Sequence, residues 1–281
     1  ARNPTIIYGG LHGYRESGPY GGRPAYDDII QSVSGLAGIF EDRDGKPQLV
    51  PSVVADKTSA LMAANGLVAA YVRRLRKGTG GYVECSMFEG MASFNLIEHQ
   101  WGETFVPPEG TVGYARLLSE YRRPHRTRDG FISVLPYTDK HWEDFWALVG
   151  AEDCAKDRRF QTMAERSQHV DELYERLSKF LTQKDTKDWL ELLTQADIPA
   201  SPVNKLSDLS IDEHLKEIGF FRKFRHPSEG DLVAPDTPYQ FDRKSLPLRL
   251  HQPRLGEHTR AILLEIGCSE FEISQIIGES P

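Results

Sequence analysis

The most regular pattern of apolar and polar positions lies in residues 50–81, VPSVVADKTSALMAANGLVAAYVRRLRKGTGG. One face of this pattern carries, at helical spacing, Leu61, Asn65, Val68, Val72 and Leu75. Alanine and glycine keep the other faces small, which is typical of a helix buried closely on more than one side. We therefore expect a long helix with Asp56 at its N-cap and Gly78 after a basic last turn.

The segments on either side of this helix have the patterns of short strands and helices. Thr5–Tyr8 is an apolar run that predicts a buried strand, and Gly81–Met87 alternates as a strand does. Tyr26–Leu36 and Glu89–Trp101 have helical patterns. The glycine-rich stretch between residues 9 and 22 predicts a loop that a ligand can approach closely, although it has no phosphate-loop motif.

A second set of elements begins after a stretch without clear periodicity. DGFISVLPY, from Asp129, predicts a strand, and Asp139 is expected to cap the helix that follows it. Two more helices are predicted over residues 165–182 and 186–196, and a hairpin around Gly230. A capping box, SEFE from residue 269, opens the last helix.

These elements predict an α/β protein with more than one domain. We expect residues 1–101 to form part of a large domain and residues 102–128 to be a linker. Residues 129–234 are expected to form a small domain. Residues 235–281 are expected to return as a linker and helices that pack on the large domain.

Composition limits the classes of binding partner and the cellular compartment that we expect. The chain has 281 residues and a formal net charge of −7, which argues against nucleic acid or an anionic membrane as the main partner. No apolar stretch approaches the length of a membrane span. The three cysteines form no CxxC pair, so we expect neither a disulfide framework nor a metal site, and a cytoplasmic location fits best.

Asp56 is the strongest candidate for chemistry. A carboxylate at the start of a buried helix meets backbone N–H groups and the positive end of the helix dipole, which keep it ionised in a poorly hydrated place. Such a carboxylate is a competent nucleophile toward an activated acyl group. Aspartate is also a common N-cap for structural reasons alone, so both interpretations stay open. The paired acids Asp27 and Asp28 are better explained by the N-terminus of their own helix than by catalysis.

The histidines add one further candidate. His12 lies in the glycine-rich stretch beside Gly13, and both are candidates for contacts with substrate. The other histidines are scattered, with no HExxH or GxSxG motif around them.

The motifs NPTIIY, GGLHGYRESGPYGGRPAYDDIIQSVSGL and VADKTSALMAANGLVAAYVRRLRKGTGGYVECSMFEG together resemble the class III CoA-transferase family. This is the formyl-CoA transferase and carnitine CoA-transferase type, also called CaiB/BaiF. The resemblance continues through DGFISVLPYTDKHWEDFWALVG, ADIPASPVN and PRLGEHTRAILLEIG, and so extends over nearly the whole chain.

The resemblance implies roles for several residues. The nucleophilic aspartate of the family falls on Asp56, and its coenzyme A-contacting segment falls on Arg23–Tyr26, with the active-site tyrosine at Tyr26. It also implies a Rossmann-like large domain, here incomplete at its N-terminus, a smaller α+β domain and an interlocked homodimer. No tightly bound cofactor is expected, because the coenzyme A thioester is the substrate.

The chain departs from the family at three places. The related α-methylacyl-CoA racemases have a catalytic histidine where this chain has Tyr26, which weighs against racemisation. The glycine-rich substrate loop of the formyl-CoA enzymes is replaced by GYARLLSEYRRPHRTR, so the resemblance does not identify the donor and acceptor acids. The family's Rossmann-like segment upstream of NPTIIY is not in this sequence.

The expected function is transfer of coenzyme A from an acyl-CoA donor to a carboxylic acid. It would proceed through an aspartyl mixed anhydride and an aspartyl-CoA thioester on Asp56. The alternatives are an acyl-CoA racemase or epimerase of the same fold, and a coenzyme A-binding homologue without turnover.

Overall fold

The structure, a computed structural model, describes residues 3–42 and 44–278. The chain divides into two compact units, Ala1–Val203 and Asn204–Pro281. Within the described ranges no helix is both long enough and apolar enough to cross a membrane.

The first part of unit one alternates strands and helices. In chain order its elements are β1 (Ile7–His12), α1 (Asp27–Val33), α2 (Leu36–Ile39), α3 (Val54–Lys77), β2 (Gly81–Ser86) and α4 (Met87–His99). Strands β1 and β2 pair in parallel, from Ile7 opposite Gly81 to His12 opposite Ser86. Because parallel neighbours need a crossover connection, helices α1 to α3 fill the chain between them. This β–α–β arrangement agrees with the predicted α/β class.

Helix α3 runs antiparallel to the two strands. Near its start, the Ser59 carbonyl accepts a hydrogen bond from the Cys85 thiol at 3.7 Å. Near its end, the Arg73 guanidinium lies against Gly81. The N-terminus of α3 therefore lies at the carboxyl ends of β1 and β2, which is where open α/β sheets bind their ligands.

The glycine-rich stretch differs from its prediction. Strand β1 begins at Ile7 and continues through Gly9 and Gly10 to His12, where a loop was expected. A Cβ atom on Gly10 would lie 2.2 Å from the Tyr82 hydroxyl, so glycine lets that ring lie against the strand. The expected burial of this strand is also wrong, because the sheet has two strands among the described residues and Tyr8 remains 64% exposed.

Helix α3 ends as predicted but begins differently. Gly78 has φ 71° and its N–H donates to the Arg74 carbonyl at 2.8 Å, which closes the last turn. At the other end the helix starts at Val54, and the N-cap residue is Val53, which makes no side-chain capping hydrogen bond. The prediction that Asp56 is the N-cap is therefore wrong, since Asp56 lies within the first helical turn.

The buried side of α3 is its small-residue side. Its buried residues are Ala55, Ser59, Ala63 and Ala70. The large apolar residues of the predicted face are exposed, with Leu61 at 60%, Val68 at 62% and Leu75 at 66%. Small side chains let α3 approach the strands closely, and this leaves the apolar face, defined as residues 61, 65, 68, 72 and 75, uncovered in this chain.

The second part of unit one contains the larger hydrophobic core. After a 3₁₀ helix at Trp101–Thr104 its elements are α5 (Ala115–Leu118), β3 (His125–Arg126), β4 (Phe131–Val134), α6 (Asp139–Val149), α7 (Glu152–Lys156), α8 (Met163–Gln168), α9 (Val170–Leu181), α10 (Thr186–Gln195) and β5 (Ala200–Pro202). The three strands form an antiparallel sheet in the order β3–β4–β5. Its helices bury a core of aliphatic and aromatic side chains, and the aromatic ones include Trp142, Phe145, Trp146 and Trp189.

The start of α6 corrects another prediction. Its N-cap is Thr138, whose hydroxyl accepts the His141 N–H at 3.1 Å, and the His141 ring accepts in return from the Thr138 N–H. Asp139, the expected cap, is the first helical residue, and its carboxylate pairs with the buried Arg166. The polar residue one position earlier therefore takes the capping role.

Unit two is made of short elements. Following a 3₁₀ helix at Leu206–Ser210 they are α11 (Glu213–Glu217), β6 (Phe221–His226), β7 (Gly230–Pro235), β8 (Gln240–Phe241), β9 (Lys244–Ser245), α12 (Thr259–Glu265) and α13 (Glu270–Ile277). The predicted hairpin is β6–β7, and the predicted capping box joins Ser269 and Glu272 at the start of α13. Among the described residues of this unit, Ile273 is the one fully buried hydrophobic side chain.

Candidate functional site

Asp56 lies on the first turn of α3, at the carboxyl ends of the parallel strands. Its side chain is exposed, and within residues 3–42 and 44–278 the carboxylate has no hydrogen-bond partner. The expectation of a poorly hydrated carboxylate is therefore wrong for the single chain, because no described residue covers the Asp56 side chain. The carboxylate is free to meet a ligand that approaches the strand ends.

The backbone beneath Asp56 is held by a second aspartate. One oxygen of Asp27, Oδ1, accepts the N–H of Ala55 at 2.7 Å and the N–H of Asp56 at 3.0 Å. Asp27 is buried, with 6% of its surface exposed. The first turn of any helix leaves N–H groups without partners, and α3 has no capping side chain of its own. Asp27, which begins α1, supplies that cap from a different helix.

Gln31 holds Asp27 in turn. Its side-chain nitrogen donates to Asp27 Oδ2 at 2.6 Å, and its side-chain oxygen accepts the Val50 N–H at 2.9 Å. The same nitrogen lies 3.3 Å and 3.2 Å from the carbonyl oxygens of Val50 and Ser52. Because Val50 offers a hydrogen and Asp27 offers lone pairs, the orientation of the Gln31 amide is fixed. The buried pair therefore joins α1, the loop before α3 and the first turn of α3.

A small hydrophobic cluster fixes the same turn from the inside. Ala55, which has no exposed surface, packs with Tyr14, Ile30 and Met91. These residues come from the chain after β1, from α1 and from α4. The main chain at Asp56 is thus anchored on one side by apolar packing and on the other by Asp27.

Gly13 brings the predicted coenzyme A segment against the end of β1. A Cβ atom at Gly13 would lie 2.4 Å from the Cβ of Ala25, so only glycine permits this approach. The Gly13 carbonyl accepts the Phe88 N–H at 3.0 Å, which ties it to the start of α4. Gly13 therefore positions backbone rather than presenting a side chain.

Arg23 and Tyr26 lie on the exposed side of this region. The Arg23 guanidinium is 4.2 Å from the centre of the Tyr20 ring, a cation–π contact that holds the cation near the surface. Tyr26 is the N-cap residue of α1 and is 80% exposed. Tyr26 directly precedes Asp27, which caps the Asp56 turn, and Gly13 lies against Ala25, the residue before Tyr26.

His12 belongs to a different cluster. Its Nε2 atom is 3.4 Å from the Tyr82 hydroxyl and 3.6 Å from the Glu16 carboxylate. None of the hydrogen bonds or ion pairs in the described ranges joins the His12 ring to Asp56. Partial desolvation, together with the carboxylates of Glu16 and Glu84, raises the pKa of Tyr82. The structure therefore places the His12 ring with Tyr82 and two acids, at the carboxyl end of β1.

Ligand atoms of His12, Glu16 and Glu84 lie within 4.8 Å of one another. Their chemical types suit a cation, but both acids are exposed and the Glu16 N–H already donates to Glu84 at 2.8 Å. A Glu89 oxygen likewise accepts the Arg15 N–H at 3.1 Å. These acids hold the loop after β1 in place, which accounts for their position.

Asp27 and Gln31 are the residues that sequence reasoning missed. The pair of acids at the start of α1 was assigned to the dipole of that helix alone. The available signal was that residues 27 and 31 stand four apart, on the face of α1 that also carries Ile30. Two polar side chains on the buried face of a short helix need partners, and these partners lie in α3 and its preceding loop.

Comparison with known proteins assigns the chain to one protein family. The model of a family described as CoA-transferase family III matches residues 1–259. A formyl-CoA:oxalate CoA-transferase of Escherichia coli O157:H7 is 25% identical over 97% of this chain and 70% of its own length. An acyl-CoA transferase of Fusarium pseudograminearum is 28% identical over 97% of this chain and 60% of its own.

Solved structures share the fold. Rv3272 from Mycobacterium tuberculosis superposes with a TM-score of 0.76 at 24% identity, over 92% of this chain and 69% of that one. A CaiB/BaiF family protein from Brucella suis gives a TM-score of 0.70 at 26% identity, over 94% and 68% of the two chains.

Proposed function

The chain belongs to CoA-transferase family III, and we propose that it moves coenzyme A from an acyl-CoA donor to a carboxylic acid acceptor with Asp56 as the nucleophile. The supporting observation is the combination of an accessible Asp56 carboxylate with a main chain fixed by Asp27 and by the cluster around Ala55. A nucleophile needs both properties, access to the acyl carbon and a defined position.

The first half of the reaction forms two intermediates on Asp56. A carboxylate oxygen attacks the thioester carbonyl carbon of the donor, a C–O bond forms, the C–S bond breaks, and coenzyme A leaves as a thiolate. The product is a mixed anhydride. The thiolate then attacks the aspartyl carbonyl, the donor acid leaves as a carboxylate, and an aspartyl-CoA thioester remains.

The second half runs through the same chemistry with the acceptor. Its carboxylate attacks the aspartyl carbonyl and releases the thiolate again. The thiolate attacks the acceptor's own carbonyl in the new anhydride, which frees the Asp56 carboxylate. Anhydride and thioester are both activated acyl groups, so no intermediate is much more stable than the next.

Arg23 and Tyr26 are proposed to bind the coenzyme A thioester. An exposed guanidinium held on Tyr20 suits the phosphate groups of coenzyme A, and an exposed tyrosine beside the Asp56 turn suits the thioester end. His12 and Gly13 remain candidates for contacts at the margin of the site. Because water hydrolyses an anhydride, the exposed Asp56 must be covered during turnover by bound substrate or by further protein.

We propose that a second copy of the chain, in a homodimer, covers Asp56. The proposed location of the protein is the cytoplasm. The apolar face of α3 is exposed in the single chain, and so are Leu250 and Phe271 in unit two, at 73% and 61%. Monomeric proteins rarely leave large apolar surfaces in water. A second copy that packs on these residues would remove them from solvent.

Replacement of Asp56 tests the proposed reaction. With formyl-CoA, acetyl-CoA and succinyl-CoA as donors and oxalate as acceptor, we expect hydroxylamine to attack the activated Asp56 carbonyl, release the donor acid or coenzyme A, and leave a hydroxamate adduct on the Asp56 peptide in mass spectra. Asp56→Ala should abolish the adduct and lower transfer by at least about 10³-fold. Asp28→Ala, a change at an exposed aspartate, is the matched control and should transfer normally.

Two results would contradict the proposal. Full transfer by Asp56→Ala, or turnover without any adduct on Asp56, would remove the nucleophile. Deuterium entering the α-carbon of an acyl-CoA in heavy water, with no acceptor acid present, would instead identify a racemase or epimerase.

A further inference from the structure

Helix α3 depends on another helix for its cap. At some helices of this chain a local side chain accepts a first-turn N–H, as Thr138 does for α6 and Asp212 does for α11. At α3 the N-cap is Val53, which has no group able to do so. The two N–H groups that Asp27 accepts are those of Asp56 itself and of the residue before it.

We propose that Asp27 is a positioning residue for CoA transfer: its buried carboxylate, locked by Gln31, sets the place of the Asp56 main chain and so of its nucleophilic oxygen. This inference rests on the proposed role of Asp56. It assigns to Asp27 no contact with substrate, because only 6% of its surface is exposed and it lies beneath the turn that it holds.

The geometry explains why a buried pair is used. The Asp56 side chain is exposed and makes no hydrogen bond among the described residues. Its position therefore follows from the main chain of the first turn. Asp27 and Gln31 hold that turn and the loop at residues 50–52 through one connected set of hydrogen bonds. A displacement of about 1 Å in a reacting group can cost roughly 100-fold in rate.

An exchange of the two polar groups tests the inference. In Asp27→Asn the new amide nitrogen meets the Gln31 nitrogen, and two donors face each other. In the double variant Asp27→Asn with Gln31→Glu, the introduced amide oxygen still accepts the two α3 N–H groups. The introduced amide nitrogen donates to the carboxylate that replaces the Gln31 side-chain amide, and that carboxylate still accepts the Val50 N–H.

The measurement is the single-turnover rate at which the Asp56 adduct forms in the full protein, at saturating donor. The donor is whichever of formyl-CoA, acetyl-CoA and succinyl-CoA gives the highest adduct yield in the unchanged protein. We expect Asp27→Asn to slow adduct formation by roughly 10- to 100-fold, with less than about a threefold change in the KM of the donor. The double variant keeps the cap and the Val50 N–H contact but loses the donor to the Ser52 carbonyl, so it should recover part of the rate, and Asp28→Asn should change nothing.

The outcomes separate this inference from the proposed function. If the unchanged protein forms no adduct, the proposed function fails. If it forms the adduct and Asp27→Asn, fully folded by circular dichroism, forms it equally fast, or if the KM rises while the rate holds, the positioning role is overturned. Should Asp27→Asn not fold, Gln31→Met decides the question. This substitution leaves Asp27 in place to accept the α3 N–H groups but removes the Gln31 hydrogen bond that orients the Asp27 carboxylate. An undiminished adduct rate in Gln31→Met would overturn the inference.

Discussion

At the scale of single residues, burial separates groups of the same chemical type. Asp27 and Asp56 are both aspartates near helix starts, but Asp27 is buried under three donors, whereas Asp56 is exposed and its carboxylate has no partner in the described ranges. A buried carboxylate with its hydrogen bonds filled is a structural group, since it has no free lone pair aimed at a ligand. The exposed one is available for chemistry.

His125 shows the same effect of burial on a titrating group. Burial, with a smaller effect of Arg123, lowers the pKa of His125 to about 4. The Ser178 hydroxyl donates to the Tyr174 carbonyl at 2.8 Å, so its oxygen accepts from His125 Nδ1–H at 2.7 Å. The ring is therefore neutral in the folded protein at neutral pH.

We predict that His125 makes the protein less stable in mild acid. The unfolded chain takes up a proton below about pH 6.5, whereas the folded chain does so only near pH 4, so stability is lost as the pH falls between them. The loss at pH 5 relative to pH 7.5 should be about 2 kcal/mol. Urea unfolding followed by tryptophan fluorescence measures it, because Trp142, Trp146 and Trp189 lie in the same core.

His125→Asn is the informative variant for this prediction. Its amide nitrogen replaces Nδ1 as the donor to Ser178 but does not titrate, so the midpoint should become less sensitive to pH by the same amount. His214→Asn, at an exposed histidine, should leave the pH dependence as it was. An unchanged pH dependence in His125→Asn would contradict the assignment.

At the scale of elements, the caps and the packed faces decide what each helix does. Helix α6 carries its own cap at Thr138, so its start is fixed locally. Helix α3 lies against β2 at Ser59 and Gly66, and its start is fixed from α1. The start of α3 is therefore a tertiary feature, and the start of α6 is a local one.

Thr138→Ala should destabilise the core of the second part of unit one by about 1 kcal/mol, because the first-turn N–H of His141 loses its acceptor. The tryptophans of α6 report this loss in a urea titration. Thr194→Ala, at an exposed threonine of α10, removes the same hydroxyl without a capping role and should not destabilise the protein. Equal midpoints for the two variants would show that the cap contributes nothing measurable.

At the scale of the whole molecule, the single chain does not cover all of its apolar surface. The second part of unit one has a dense aromatic core, whereas the apolar face of α3 and several large side chains of unit two lie in water. A chain that buries one core well and leaves another side open is typical of a subunit. This supports the proposed homodimer.

Val68→Glu should weaken that dimer. The substitution places a charge in the middle of the apolar α3 face, which is 62% exposed at this position, so it should cost the single chain less than about 0.5 kcal/mol. Its cost to a contact between copies is larger, because a buried charge loses its hydration. Sedimentation should show a dimer for the unchanged protein and for Arg76→Glu, an exposed change on the same helix, but a larger monomer fraction for Val68→Glu. An unchanged mass would assign this face to something other than a second copy.

The sequence by itself determined the elements whose signals are local. Glycine at 78 ends α3, SEFE opens α13 and the turn at Gly230 joins β6 to β7, because each depends on backbone freedom or on side chains a few residues away. The family and the candidate nucleophile were also predicted from motifs. Those motifs are contiguous stretches of chain.

Only the tertiary structure decided which groups support Asp56 and which face of α3 is covered. The Asp27 carboxylate meets the α3 N–H groups across 28 and 29 positions of sequence, and no local pattern records such a contact. The apolar stripe of α3 suggested burial, but the helix buries its opposite side, where Ser59 and Gly66 lie against β2. Periodicity shows that a helix has an apolar face, and only packing decides what that face meets.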